Sequence, residues 1–120
     1  MVKVAVLAII FLFISAPHVF ADAAAGKAIF KKIGKCKNCH KITAKDKVGP
    51  GLAGISKRAP EKWLKAWLKD SLAVWKANEG YTITLKKAVD KESKPKPTHK
   101  VKAKLSDQQI NDLVDYLKTL

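Results

Sequence analysis

The chain has 120 residues, 48% apolar and 28% charged, with 24 basic against 10 acidic residues and a formal net charge of +14. Those proportions exclude a fibrous or disordered polypeptide and leave room for one small hydrophobic core. So strong a charge could suit nucleic acid, but 23 lysines and a single arginine do not, because base-edge readout and bidentate phosphate clamping favour arginine.

The chain opens with MVKVAVLAIIFLFISAPHVFA, in which Lys3 precedes an unbroken apolar run from Val4 to Ile14, followed by Pro17 and a small-residue exit at Ala21. That order is the pattern of a secretory leader and predicts cleavage between Ala21 and Asp22. The run falls short of the roughly 20 residues of a comfortable membrane span. An uncleaved N-terminal anchor is the alternative. The expected organisation is therefore a signal peptide over 1–21 and one exported domain over 22–120, periplasmic in a bacterium, with no stable membrane span after cleavage. Cleavage would remove Met1, the one methionine, and His18, leaving His40 and His99. The mature chain would carry 23 basic against 10 acidic residues, a formal +13.

In the expected domain, Asp22 caps a first helix through AAAGKAIFKKIG, with Ala25, Ile29 and Ile33 on one stripe and Gly34 as the stop. The segment ITAKDKVGPGLAGISKRA holds three glycines and one proline and reads as a wrapping loop. A second helix opens at Pro60 and stops near Gly80, with Trp63, Leu64, Trp67, Leu68, Leu72 and Trp75 on its apolar face. Tyr81 to Leu85 alternates briefly before a charged tract punctuated by Pro95 and Pro97. The stretch reads as an extended loop, with a short strand left open. The last helix has Ser106 and Gln109 in capping-box positions, then Ile110, Leu113, Val114 and Leu117 at helical spacing. The fold class is all-α, with three to four short helices, and so thin a core calls for a covalent or metal staple.

The motif KCKNCHK, residues 35–41, holds the only two cysteines, Cys36 and Cys39, with His40 directly after the second. A redox disulfide of the thioredoxin type would follow a strand, and none is expected here. Zinc could draw on Cys36, Cys39, His40 and His99, but adjacent ligands at 39 and 40 suit one tetrahedral centre poorly. Covalent haem fits best. Two thiols one turn apart can each form a thioether with the porphyrin, and the next residue offers its imidazole to the iron; CxxCH is the signature of that attachment. The reading makes one haem c the cofactor, Cys36 and Cys39 its attachment points and His40 the proximal iron ligand.

With these residues in view the chain resembles the class I c-type cytochromes over nearly all of 22–120. Gly26 and Phe30, the CKNCH motif, the GPGLAGI loop at 49–55, the tryptophan helix WLKAWLKD and the terminal INDLVDYLKTL stand in that family's order. The resemblance implies that the terminal helix crosses the first, so that Gly26 and Phe30 meet Leu113 and Tyr116. It further implies that the carbonyl of Pro50 accepts a hydrogen bond from Nδ1 of His40, making the imidazole a better donor to iron. The chain departs from the family at the sixth ligand, normally a methionine ahead of the last helix. There KPKPTHKVKAKLS offers His99 instead, which implies bis-histidine ligation and a low potential. A lysine amine or an open position remains an alternative.

Two functions of different class follow. The first is a one-electron carrier, whose exposed lysines Lys31, Lys32, Lys35, Lys37 and Lys41 dock an acidic redox partner. The second is a gas-binding or sensing haem protein with a weak or open sixth position for NO or CO. No general base, carboxylate pair or substrate pocket is visible, so an enzyme is not expected.

Overall fold

The computed structural model describes residues 21–101 and 103–120. The apolar leader, residues 1–20, lies outside them, as does Lys102. The described residues form six α-helices and one 3₁₀ turn, with no strand among them.

Helix α1 spans Ala23–Lys31, and Asp22 caps it as expected, its Oδ1 accepting from the amide of Ala24 at 2.8 Å. Ile29 and Phe30 are buried, but Ile33 lies beyond the helix and is 47% exposed. The expected stripe therefore ends one turn early. Gly34 does not stop the helix by taking a left-handed conformation: α1 ends at Lys31 with Lys32 as its cap, and the left-handed residue, Lys35 at φ 50°, opens the turn that follows. Space is tight at 34, where a Cβ would sit 3.0 Å from Sγ of Cys36 and 3.1 Å from the carbonyl oxygen of Ile29, so a larger residue would make these neighbours give by a few tenths of an ångström.

The loop after the cysteine motif contains one helical turn, α2, Ile55–Arg58. The expected tryptophan helix is two helices, α3 over Glu61–Lys69 and α4 over Ser71–Ala77. Asp70 makes the break. Its backbone is extended (φ −154°, ψ 86°), and its side chain accepts from the amide of Ala73 at 3.0 Å to start α4. The break rotates the register, so Leu72, expected on the apolar face, is 43% exposed. Trp75 is buried all the same.

Tyr81–Ala88, expected as loop or strand, is helix α5. Asn78 at φ 53° and Gly80 at φ 52° reverse the chain before it, and Tyr81, Leu85 and Val89 then recur at intervals of four along one wall of the main cavity. Helix α6, Asp107–Leu117, carries the expected capping box, Ser106 Oγ accepting from the amide of Gln109 while Gln109 Oε1 accepts from that of Ser106.

The core is built where α1 crosses α6. Ile29 and Phe30 from α1 pack with Ile110, Leu113, Val114, Tyr116 and Leu117 from α6, joined by Ile55, Ala59, Leu64 and Leu105. A Cβ at Gly26 would strike the carbonyl oxygen of Asp112 and lie 2.8 Å from Cβ of Tyr116. Phe30 meets Tyr116 edge to face, ring centroids 5.5 Å apart. The crossing expected around Gly26, Phe30, Leu113 and Tyr116 is present, and it leaves α3 to α5 free to wall a cavity on the other side.

Candidate cofactor site

A cavity of about 580 Å3 lies between the cysteine motif and the segment carrying His99. That volume suits a cofactor-sized molecule. Its walls are largely apolar, with Phe30, Leu52, Leu64, Trp67 and Leu113 contributing from four parts of the chain. Cys36, Cys39, His40 and His99 all face it.

The motif begins with a 3₁₀ turn, Cys36–Asn38, closed by backbone bonds from the amides of Cys39 and His40 to the carbonyl of Cys36. Both cysteines are free. Burial is the main influence pushing the Cys36 thiol above its ordinary value, opposed by its own backbone and reinforced by Cys39. A redox CxxC pair needs the opposite shift, towards thiolate. Nor do three His, Cys, Asp or Glu side chains converge on one metal-binding point among the described residues. The four residues considered for zinc are thus arranged around a cavity rather than a tetrahedral centre.

His40 is held by the loop that follows it. Its Nδ1 lies 2.8 Å from the carbonyl oxygen of Pro50, and since a carbonyl can only accept, Nδ1 is the donor of that bond. The loop is folded back by bonds from Gly49 N to Cys39 O (2.8 Å) and Leu52 N to Lys41 O (2.9 Å). Arg58, the lone arginine, ties the carbonyls of Ala53 and Gly51 from the far side. Neither the close approach of Gly49 to His40 nor the clasp by Arg58 was apparent from the motif; only the concentration of glycines in the loop hinted at a tight passage.

His99 stands opposite His40, with ring centroids 6.1 Å apart. Two imidazoles bound to opposite sides of one metal ion, at about 2 Å per metal–nitrogen bond, would have ring centres about 6 Å apart. The residues present therefore fit a haem iron between them. Burial, aided by the nearby His40, lowers the His99 pKa to about 4, which favours the neutral form of the ring. Among the described residues its buried Nδ1 has no hydrogen-bond partner, in contrast to that of His40. Trp67 packs against the ring at 5.2 Å between centroids, a contact that sequence spacing could not reveal.

An all-α domain with an apolar cavity, paired thiols at one edge and two facing imidazoles is that of a small covalent-haem protein. The comparison with protein families agrees: the cytochrome c family profile matches residues 23–120. This chain belongs to the cytochrome c family and, as a member, binds a covalent haem c and serves as a haem-based electron carrier. One haem suits its size. No solved structure matches it.

Proposed function

We propose that this chain is an exported, low-potential one-electron carrier, with haem attached at Cys36 and Cys39 and the iron held by His40 and His99. The observation that carries this reading is the 6.1 Å separation of the two imidazoles across the apolar cavity. When bound, the haem supplies reversible one-electron chemistry at iron. The protein's part is to fix both ligands and exclude water. Pro50 orients His40 through Nδ1 and makes it a stronger donor. Ligation by histidine in place of methionine removes the influence that raises haem potential. The test is a visible spectrum of both oxidation states, with and without CO, for wild type and His99→Ala. A low-spin wild type indifferent to CO and a high-spin, CO-binding variant are expected. Identical spectra would remove His99 from the iron and make Lys100 or Lys102 the next candidate.

Export is supported at the domain's first residue. Cleavage after Ala21 would turn the Asp22 nitrogen into an α-ammonium, and that nitrogen lies 2.9 Å from Oδ1 of Asp112. Asp112 is a carboxylate only 8% exposed, otherwise bonded to Gln108. A buried charge calls for a counter-charge, and processing there supplies it. No helix among the described residues is long and apolar enough to cross a membrane.

An acidic redox protein is the proposed partner. Lys31, Lys32, Lys35, Lys37 and Lys41 are all exposed around the cysteine motif, beside apolar Val48 at 79% exposure on the cavity rim. A cationic ring around a small apolar contact suits fast, salt-sensitive docking.

A second reading, a gas-binding or sensing protein, draws on the unpartnered Nδ1 of His99. Without an acceptor the distal imidazole is the weaker donor of the two and the one a diatomic ligand would displace. CO binding by the unmodified protein would favour that reading.

A further inference from the structure

Lys86 is 8% exposed in the middle of α5, where a lysine is rarely found without a partner. Its Nζ donates to the carbonyl of Trp75 at 3.0 Å and to Oδ1 of Asn78 at 2.8 Å. The same ammonium stands 4.7 Å above the centre of the Trp75 ring, in cation–π range. The Trp75 carbonyl belongs to the last turn of α4 and has no partner within that helix. Lys86 thus caps α4 and seats its tryptophan.

The seated tryptophan reaches the segment that carries His99. Trp75 Nε1 donates to the carbonyl of Lys94 at 2.8 Å. One turn earlier, on the same side of α4, Ser71 Oγ donates to the carbonyl of His99 at 3.4 Å. Helix α4 therefore holds the loop at two points five residues apart. The Trp75 ring also leans on Trp67 at 6.3 Å, and Trp67 in turn packs on His99 at 5.2 Å. The loop even begins on Lys86, since the amide of Lys91 donates to its carbonyl at 2.9 Å as the chain turns at Asp90, φ 52°.

We propose that Lys86 and Trp75 are positioning residues for the distal side of the haem: together with Ser71 they clamp Lys94–His99 so that the His99 imidazole is presented across from His40. The inference rests on the reading of His99 as the distal ligand. It accounts for a buried ammonium that no step of electron transfer uses.

The test uses the haem-loaded protein. Trp75→Phe keeps a ring and removes the donor, and Lys86→Met keeps the chain length and removes the ammonium. Either should make the hydrogen-bonded loop amides of Lys91 and Lys94 exchange roughly tenfold faster, the factor carried by one lost hydrogen bond, while those of α6 stay at wild-type rates. Either should also raise the share of reduced protein that binds CO. Because Lys86→Met could lose its fold, Trp75→Phe decides by itself: unchanged loop exchange and unchanged CO binding in that variant would overturn the clamp. His99→Ala run in parallel separates the two readings. If it leaves the spectrum unaltered, His99 is not the ligand, whereas the clamp stands or falls on the exchange of the loop amides in Trp75→Phe.

Discussion

Gly49 lies so close to His40 that a Cβ on it would fall 2.5 Å from Cε1 and 3.0 Å from Nδ1 of the imidazole. The glycine is a spacer. It lets the loop pass against the ring closely enough for Pro50 to accept from Nδ1 at 2.8 Å. Gly49→Ala should push the ring or the loop away and lose that bond. Overpacking of this kind costs about 1–3 kcal/mol. A lowered denaturation midpoint together with a weakened proximal ligand, seen as a changed spectrum of the reduced protein, is the expected result. Wild-type values of both would mean that the loop yields freely.

Gly26 makes the corresponding contact at the helix crossing, where the obstruction is backbone rather than side chain. Its added Cβ would meet the carbonyl oxygen of Asp112 and lie 2.6 Å from the carbonyl carbon. Backbone in the middle of α6 cannot rotate aside, so α1 itself must move, and Phe30 with it. Gly26→Ala is expected to destabilise the protein by about 3 kcal/mol or more, at the upper end of the overpacking range. Urea unfolding of the haem-loaded protein measures it.

Some of this arrangement was legible in the residues and some was not, for physical reasons that differ by position. The capping box at Ser106 and Gln109 is a local hydrogen-bond pattern and formed as read. The Cys36, Cys39 and His40 spacing needs no tertiary information, and the three side chains do share one cavity. The turn at Asp70 was hidden because the apolar spacing runs on through it while the capping aspartate serves the next helix. Helix α5 was missed because the Tyr81–Leu85 alternation imitates a strand, and because Lys86, a core residue of that helix, reads as surface. Its burial depends on Trp75 and Asn78, partners that only the fold brings near.

If the leader is cleaved after Ala21 as proposed, Asp112 would link that processing to stability. In processed protein its carboxylate would face the Asp22 α-ammonium at the position now held by the Asp22 nitrogen. Asp112→Asn would leave that ammonium without its counter-charge, and breaking a buried pair typically costs about 3–5 kcal/mol, less where one partner is solvated as here. The loss should be larger in processed protein than in protein extended by residues preceding Asp22, whose amide needs no counter-charge. Equal losses in the two forms, measured by urea unfolding, would count against the pairing.

The proposed docking through the lysines around the motif predicts a salt response of electron transfer. Exposed charges are screened beyond about 8–10 Å at ordinary ionic strength, so rates with an acidic partner should fall steeply as salt is added. Lys37→Glu combined with Lys41→Glu should flatten the dependence while leaving the spectrum as it is, because both side chains are exposed. Rates indifferent to salt in wild type would reduce the lysines to solvation.

Acid should release the distal side first. The His99 pKa in the folded protein is about 4, against an ordinary value of 6.5, chiefly because burial disfavours the charged ring. A depressed folded pKa means that the unfolded chain takes up the proton first. The stability from keeping this ring neutral is therefore fully present above about pH 6.5 and is lost as pH falls towards 4. The slope from one such group is at most about 1.4 kcal/mol per pH unit. Iron binding acts in the same direction, since only the neutral imidazole can ligate. His40 is tied to Pro50 through Nδ1, whereas Nδ1 of His99 has no partner among the described residues, so in the proposed ligation His99 is the ligand expected to leave first. Lowering the pH through this window should convert low-spin iron to a high-spin form while far-ultraviolet circular dichroism still reports helix. In His99→Ala that spectral step should be missing and the stability curve flatter. A variant that kept both would place the acid transition on another group.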